Sequence, residues 1–171
     1  MSLPPRIHIV GRRNCGKTTL VCNLLQEFGR RGLQTATVKH THHPHELDTP
    51  GKDSWKHRQA GASMVGILSP QLTAVFQPHS QHERGEERYA VMLAAAQHCD
   101  LVIVEGDLHT SAPKLEVWRE VATEPPYATD VPGIHAVVST RQSIEVPCPV
   151  WSGLSIEELA ERVLQVVAEN R

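Results

Sequence analysis

The sequence predicts an α/β fold, a mostly parallel sheet flanked by helices, with an additional β-hairpin. Three observations carry that prediction. An apolar run, Ile7-His8-Ile9-Val10, passes directly into a glycine-containing turn and then into a helical pattern. A second run, Asp100-Leu101-Val102-Ile103-Val104, is too continuously apolar for a strand with one wet face and belongs in the middle of a parallel sheet. Strand-like and helix-like segments alternate along most of the 171 residues, which is how a parallel sheet is threaded.

Each element has its own local reason. Residues 7–10 read as a buried strand. Residues 17–31 read as a helix because Leu20, Val21, Leu24, Leu25 and Phe28 fall on one face, and Gly32 stops it. Residues 34–38 make a second short strand, and 39–53 a polar loop carrying Pro44, Pro50 and Gly51. A loop of that length in a compact domain is usually functional or mobile. Ser54 is expected to cap a short helix reaching Ala60. Residues 63–68 and 72–76 are β-type runs around Ser69-Pro70-Gln71, a hairpin pattern. After a hydrophilic connection over 78–85, residues 86–98 read as an alanine-rich helix and 100–104 as the central strand. Further strands are expected over 114–119, 134–139 and 149–151, a loop over 123–132, and a closing helix over 155–168.

The turn after the first strand is Gly11-Arg12-Arg13-Asn14-Cys15-Gly16-Lys17-Thr18, the G-x-x-x-x-G-K-T spacing of a P-loop, and Thr19 follows it. Glycines let backbone N–H groups face a phosphate, Lys17 supplies a point charge, and the Thr18 hydroxyl is a magnesium ligand. A helix starting at Lys17 adds its positive dipole end. The fold class is therefore of the P-loop NTPase type, and residues 1–171 read as a single nucleotide-binding domain with the hairpin over 63–76 as an excursion. Ligands in such sheets sit at the carboxyl ends of the strands, which puts Gly11, Lys39, Glu105 and Ser139 on one edge. Glu105 ends the central strand at that edge and is assigned to magnesium or its water shell, whereas Asp100 starts the strand at the opposite end. Asp48 and Asp53 are further carboxylates, one of which is expected to reach the metal or the water at the γ-phosphate. Spacing does not order the two; we pair Asp48 with the metal, and Asp53 with Lys17 in catalysis.

Composition narrows the partners. A formal charge of -2 with Lys and Arg spread along the chain offers no basic stripe for nucleic acid. No segment approaches the roughly 18 apolar residues of a membrane span, and no apolar leader opens the chain, so a cytoplasmic protein is expected. Cys15, Cys22, Cys99 and Cys148 are widely spaced and form neither a zinc ribbon nor a disulfide framework. Cys15 is either a thiol activated by the electropositive loop or a small residue that fits. The loop Lys39-His40-Thr41-His42-His43-Pro44-His45-Glu46-Leu47-Asp48 has three readings: a metal site, a rim in which Lys39, His40 and the other histidines hold an anion, or solvated side chains.

Four blocks, GRRNCGKTTL, VKHTHHPHELDTPGKDSWKHRQAGA, DLVIVEGD and PKLEVWR, resemble in order the molybdopterin-guanine dinucleotide biosynthesis protein B (MobB) family. The resemblance implies GTP and magnesium as ligands and an accessory role in attaching GMP to molybdopterin, with weak or partner-dependent GTP hydrolysis. It also implies a homodimer and a separate partner, molybdenum cofactor guanylyltransferase (MobA), that carries the transfer chemistry. The chain departs from the family pattern in having Asp107 and Leu108 after Glu105-Gly106, and Arg12 and Arg13 in the P-loop. Ser139-Thr140-Arg141-Gln142 stands where many GTPases carry N-K-x-D and contains no acid to pair with guanine. Two rival readings keep the same P-loop: an ATP-dependent small-molecule kinase or ligase similar to dethiobiotin synthetase, and a dimeric adaptor that never turns nucleotide over.

Overall fold

The computed structural model describes residues 3–41, 46–79, 85–120, 122 and 124–170. It divides into two compact units, Met1–Thr41 with Tyr89–Arg171, and His42–Arg88.

The larger unit is a six-stranded sheet whose neighbouring strands all run parallel. Its strands are β1 (Arg6–Val10), β2 (Thr35–Lys39), β5 (Leu101–Glu105), β6 (Lys114–Val117), β7 (Ile134–Ser139) and β8 (Val150–Ser152), in the order β2-β5-β1-β6-β7-β8. Side chains alternate across the sheet. Ile7, Ile9, Leu101, Ile103, Leu115 and Val117 face helices α1 (Lys17–Arg30) and α4 (Ile156–Glu169), which bury Leu20, Leu24, Phe28 and Val163 against them. On the other face Val102 and Val104 pack against Tyr89, Leu93 and Ala96, around helix α3 (Ala90–Ala95). A fully buried Leu or Phe contributes about 1.5–3 kcal/mol, so the α1 face alone is a substantial part of the stability.

The helices end for identifiable reasons. Ser155 caps α4 in a reciprocal pair with Glu158, each side chain accepting from the other residue's backbone N–H. At the far end of α1, Glu27 is buried and accepts from Arg30 and Arg31, and Arg31 reaches on to Glu161 and the Glu157 carbonyl of α4. These bonds hold the Glu27 carboxyl down at about 2.

Residues 86–98 depart from the single helix expected. Gly85–Tyr89 is a tight 3-10 turn, α3 is short, and Cys99 N–H closes on the Ala96 carbonyl before β5 begins. The tight turn brings Tyr89 under the sheet, where it is buried with Leu93 and Ala96 following at helical spacing. Packing of one aromatic side chain overrides the uniform helix propensity of the segment.

The smaller unit holds helix α2 (Asp53–Gln59) and the antiparallel hairpin β3 (Val65–Leu68) and β4 (Thr73–Phe76), so the hairpin is as expected. Ser54 is not the cap of α2: Lys52 precedes the helix in extended conformation, and Asp53 places negative charge on its first turn. The Ser54 hydroxyl instead donates to Asp48, whose carboxylate also accepts from the Thr49 amide. Met64, Leu68, Leu72 and Val75 are exposed on and beside the hairpin.

Candidate functional site

Parallel pairing aligns Ile9, Lys39 and Glu105 on three adjacent strands, so β1, β2 and β5 end together. The chain leaves β1 at Gly11 with φ 140°, against the last residue of β6; a Cβ there would lie 2.2 Å from the Val117 carbonyl oxygen. Only glycine tolerates both that contact and that conformation. Asn14 follows in the left-handed region at φ 61°, and Gly16 at φ 92° leads into α1. A Cβ on Gly16 would meet nothing within 4 Å and would occupy the open space over the helix start.

That space is a cavity of about 460 Å³ lined by Arg13, Asn14, Lys17, Thr18, Lys39 and Glu105, with Gly16 and Thr19 at its base. The Lys17 ammonium donates to the carbonyls of Gly11 and Arg12 at 2.9 and 2.7 Å, which holds it across the mouth of the loop. The Thr18 hydroxyl lies 3.0 Å from both carboxylate oxygens of Glu105. One end of the cavity is thus cationic and lies at the start of α1, suited to phosphate. The other end offers hydroxyl and carboxylate oxygens, the hard donors that magnesium takes when phosphate oxygens and water complete its shell. The donor set therefore fits a magnesium-bound phosphate chain.

Of the residues singled out from sequence, Asn14, Gly16, Lys17, Thr18, Thr19, Lys39 and Glu105 converge on this cavity. Gly11 contributes through its carbonyl. Cys15 is fully buried in an adjoining cavity, which favours its reading as a small packed residue over an accessible thiol. His40 is not among the lining residues; its ring stacks on Tyr89 at 6.3 Å. Asp48 and Asp53 belong to the smaller unit, where Asp48 is buried and Asp53 pairs with Lys56. His42, His43 and His45, on which the metal reading of the histidine loop depends, lie outside the described residues. Among the described residues no group of three or more His, Cys, Asp or Glu side chains could hold a metal ion.

The departures in the P-loop resolve differently. Arg12 turns away from the cavity, stacking over the Tyr127 ring at 3.9 Å and pairing with Glu124. Arg13 lines the cavity. Lys114 is buried and donates to the Thr110 carbonyl, so it supplies no charge to the cavity. Beside it lies a polar network absent from the sequence reading. His8, fully buried in β1, donates from Nδ1 to the Gly106 carbonyl at 3.1 Å and meets the Tyr89 ring edge-on. The Tyr89 hydroxyl donates to Asp107 at 2.6 Å. Burial pushes the His8 imidazole down to about 4. The only sequence signal for this network was a histidine interrupting an apolar strand.

A second cavity, about 610 Å³, lies on the β7–β8 side of the loop and shares Asn14, Gly16 and Thr19 with the first. Arg119, Glu120, Thr140 and Leu154 are among the residues that line it. Arg119 and Glu120 follow β6 and carry no motif, so pattern reading passed over them.

The sheet order and this cradle define a P-loop α/β protein of the nucleotide-binding class. Comparison with known proteins is specific: the profile described as molybdopterin guanine dinucleotide synthesis protein B (MobB) matches residues 6–140, and the chain belongs to that family. The molybdopterin-guanine dinucleotide biosynthesis adapter protein of Escherichia coli (strain K12) is 33% identical over 65% of this chain and 63% of its own length. That of Haemophilus influenzae is 31% identical over 71% of this chain and 67% of its own. The match thus spans less than two thirds of the E. coli relative. Among solved structures, a molybdopterin-guanine biosynthesis protein B is 26% identical, covers 95% of this chain and 99% of its own, and superposes with a TM-score of 0.68. Bacillus subtilis MobB, at 20% identity over 95% of this chain and 98% of its own, shares the fold with a TM-score of 0.70.

Proposed function

We propose that this chain is a cytoplasmic, magnesium-dependent GTP-binding adapter of molybdenum cofactor biosynthesis, assisting the guanylyltransferase MobA in attaching GMP to molybdopterin. The observation that carries the reading is the convergence of Lys17, Thr18 and Glu105 on one strand-end cavity in a chain of the MobB family. Relatives named as adapter proteins support the accessory role.

In this reading the loop amides and Lys17 bind the β- and γ-phosphates, and the Lys17 ammonium exchanges its carbonyl partners for phosphate oxygens. Thr18 and Glu105 hold the magnesium, with Asp48 as a further carboxylate toward it. Bound magnesium supplies positive charge to the phosphate oxygens. Lys39 extends the cationic rim toward the pterin phosphate or the partner, and His40 positions that rim by stacking on Tyr89. Asp53 is the candidate for orienting a hydrolytic water, with turnover slow in the absence of the partner. The exposed apolar hairpin supports a homodimer, since an uncovered edge of that kind is a ready pairing surface.

The test is calorimetry with GTP and ATP, with and without magnesium, alongside MobA-dependent guanylyl transfer. GTP should bind more tightly than ATP, and the chain should raise the transfer rate. Lys17→Ala should cost on the order of 100-fold in GTP affinity, the scale of a lost charge-assisted bond, with the circular dichroism spectrum unchanged. Equal affinity in the variant, or tighter binding of ATP, would overturn the reading.

A further inference from the structure

We propose that Glu120, oriented by Arg141, reads the Watson–Crick edge of guanine and gives this protein its preference for guanine nucleotides; the inference rests on the nucleotide-binding reading above. The phosphate cavity and the larger cavity beside it share Asn14, Gly16 and Thr19, so a ligand whose phosphates sit over Lys17 has its nucleoside directed into the second. At about 610 Å³ that second cavity lies within the range of nucleoside-sized sites. Leu20, Leu154 and Leu159 give it apolar walls for the faces of a flat heterocycle.

Asn14, Thr19 and Asn23 line it from the loop and α1, and its charged groups sit after a strand end. The segment after β7, Ser139-Thr140-Arg141-Gln142, brings no carboxylate. The neighbouring segment after β6 does: Glu120 lines the cavity, and Arg141 lies 3.3 Å from its Oε1. Arg119, also at the cavity, donates to the Val138 carbonyl and ties this segment to β7. Arg141 is itself set by its backbone N–H, which donates to the Ser139 hydroxyl. Both side chains of the pair are solvent-exposed, 76% for Glu120 and 56% for Arg141, so the carboxylate stands open to a ligand at the rim of the cavity.

Chemistry decides which base fits. Guanine offers two adjacent donors, N1–H and the 2-amino group, and a carboxylate accepts both. Adenine offers an N1 acceptor and a C2–H at the same place, so its lone pair would face a negative charge. A site built to accept donors rejects a base that has none there. Xanthine keeps N1–H but carries a carbonyl at position 2. It therefore repels a carboxylate and suits a primary amide.

The experiment is competition binding of GTP, ATP and xanthosine triphosphate to wild-type chain and to Glu120→Gln, with inorganic tripolyphosphate as a probe of the phosphate cradle alone. Glu120→Gln should lose on the order of 10- to 100-fold in GTP affinity, gain in affinity for xanthosine triphosphate, and keep tripolyphosphate binding. Misfolding does not produce such a gain. A variant that binds tripolyphosphate and keeps the wild-type order of the three nucleotides would overturn the role of Glu120 while leaving nucleotide binding intact. Wild-type chain that binds neither tripolyphosphate nor any nucleotide would overturn both.

Discussion

The hydroxyl of Thr18, in the first turn of α1, stands equidistant from the two carboxylate oxygens of Glu105 at the end of β5, 3.0 Å from each. The two residues are far apart in sequence, and the parallel register that sets Glu105 beside Ile9 brings them together. A hydroxyl and a carboxylate held this close are both donor types that a hard cation takes.

Replacing Glu105 by Gln keeps the shape and removes the charge. Magnesium affinity in the presence of nucleotide should fall on the order of 10- to 100-fold, the range typical of lost metal-site partners. Affinity for metal-free nucleotide should change far less. Titrating magnesium against a fluorescent GTP analogue reads both, and equal losses would remove Glu105 from the metal.

His8 gives the fold a pH dependence of defined sign. Its imidazole titrates near 4 in the folded chain because burial disfavours the charged form, against an ordinary value of 6.5. The neighbouring Arg6 and Lys114 oppose its charging and Asp107 favours it. The unfolded chain therefore binds a proton that the folded chain refuses, and stability present in full above pH 6.5 is lost as pH falls toward 4. The loss is on the order of 3 kcal/mol. Urea midpoints between pH 7 and 4 should show this slope, and His8→Gln should flatten it. The Glu27 carboxyl, held at about 2 by Arg30 and Arg31, acts in a lower window: its contribution is present above its ordinary 4.5 and disappears between 4.5 and 2. Carrying the titration below pH 4 therefore reads the Glu27 contribution after that of His8 is lost.

The proposed homodimer depends on the hairpin. Leu68 and Leu72 are 83% and 76% exposed, so changing them to Lys removes no core contact. The double variant Leu68→Lys, Leu72→Lys should sediment as a monomer where the parent sediments as a dimer, with an unchanged melting temperature of the monomeric fold. A parent that stays monomeric at high concentration would discard the pairing role.

What was legible in the sequence was whatever local chemistry dictates. The G-x-x-x-x-G-K-T spacing located Lys17 and Thr18, and the rule that ligands gather at carboxyl strand ends located Glu105 and dismissed Asp100. Continuous apolar character placed 100–104 inside the sheet, where the strand runs from Leu101 to Glu105. Failures came where distant segments meet. Residues 86–98 carry a uniform helical composition, and the partners that Tyr89 meets, among them His8, His40, Arg6 and Asp107, come from distant parts of the chain. The strand-end carboxylate sought after β7 is supplied after β6, because strand order and not chain order decides which side chains share a cavity. The sequence did not say where Arg12 points, because Tyr127 and Glu124, which hold it away from the cavity, are more than 100 residues distant.

The stacking of His40 on Tyr89 joins the two places where the chain departs from the larger unit and rejoins it. The last residues before the excursion and the first after it are therefore held against each other within the larger unit itself. All six strands of the parallel sheet lie outside that excursion, so their register is set by contacts the excursion does not supply.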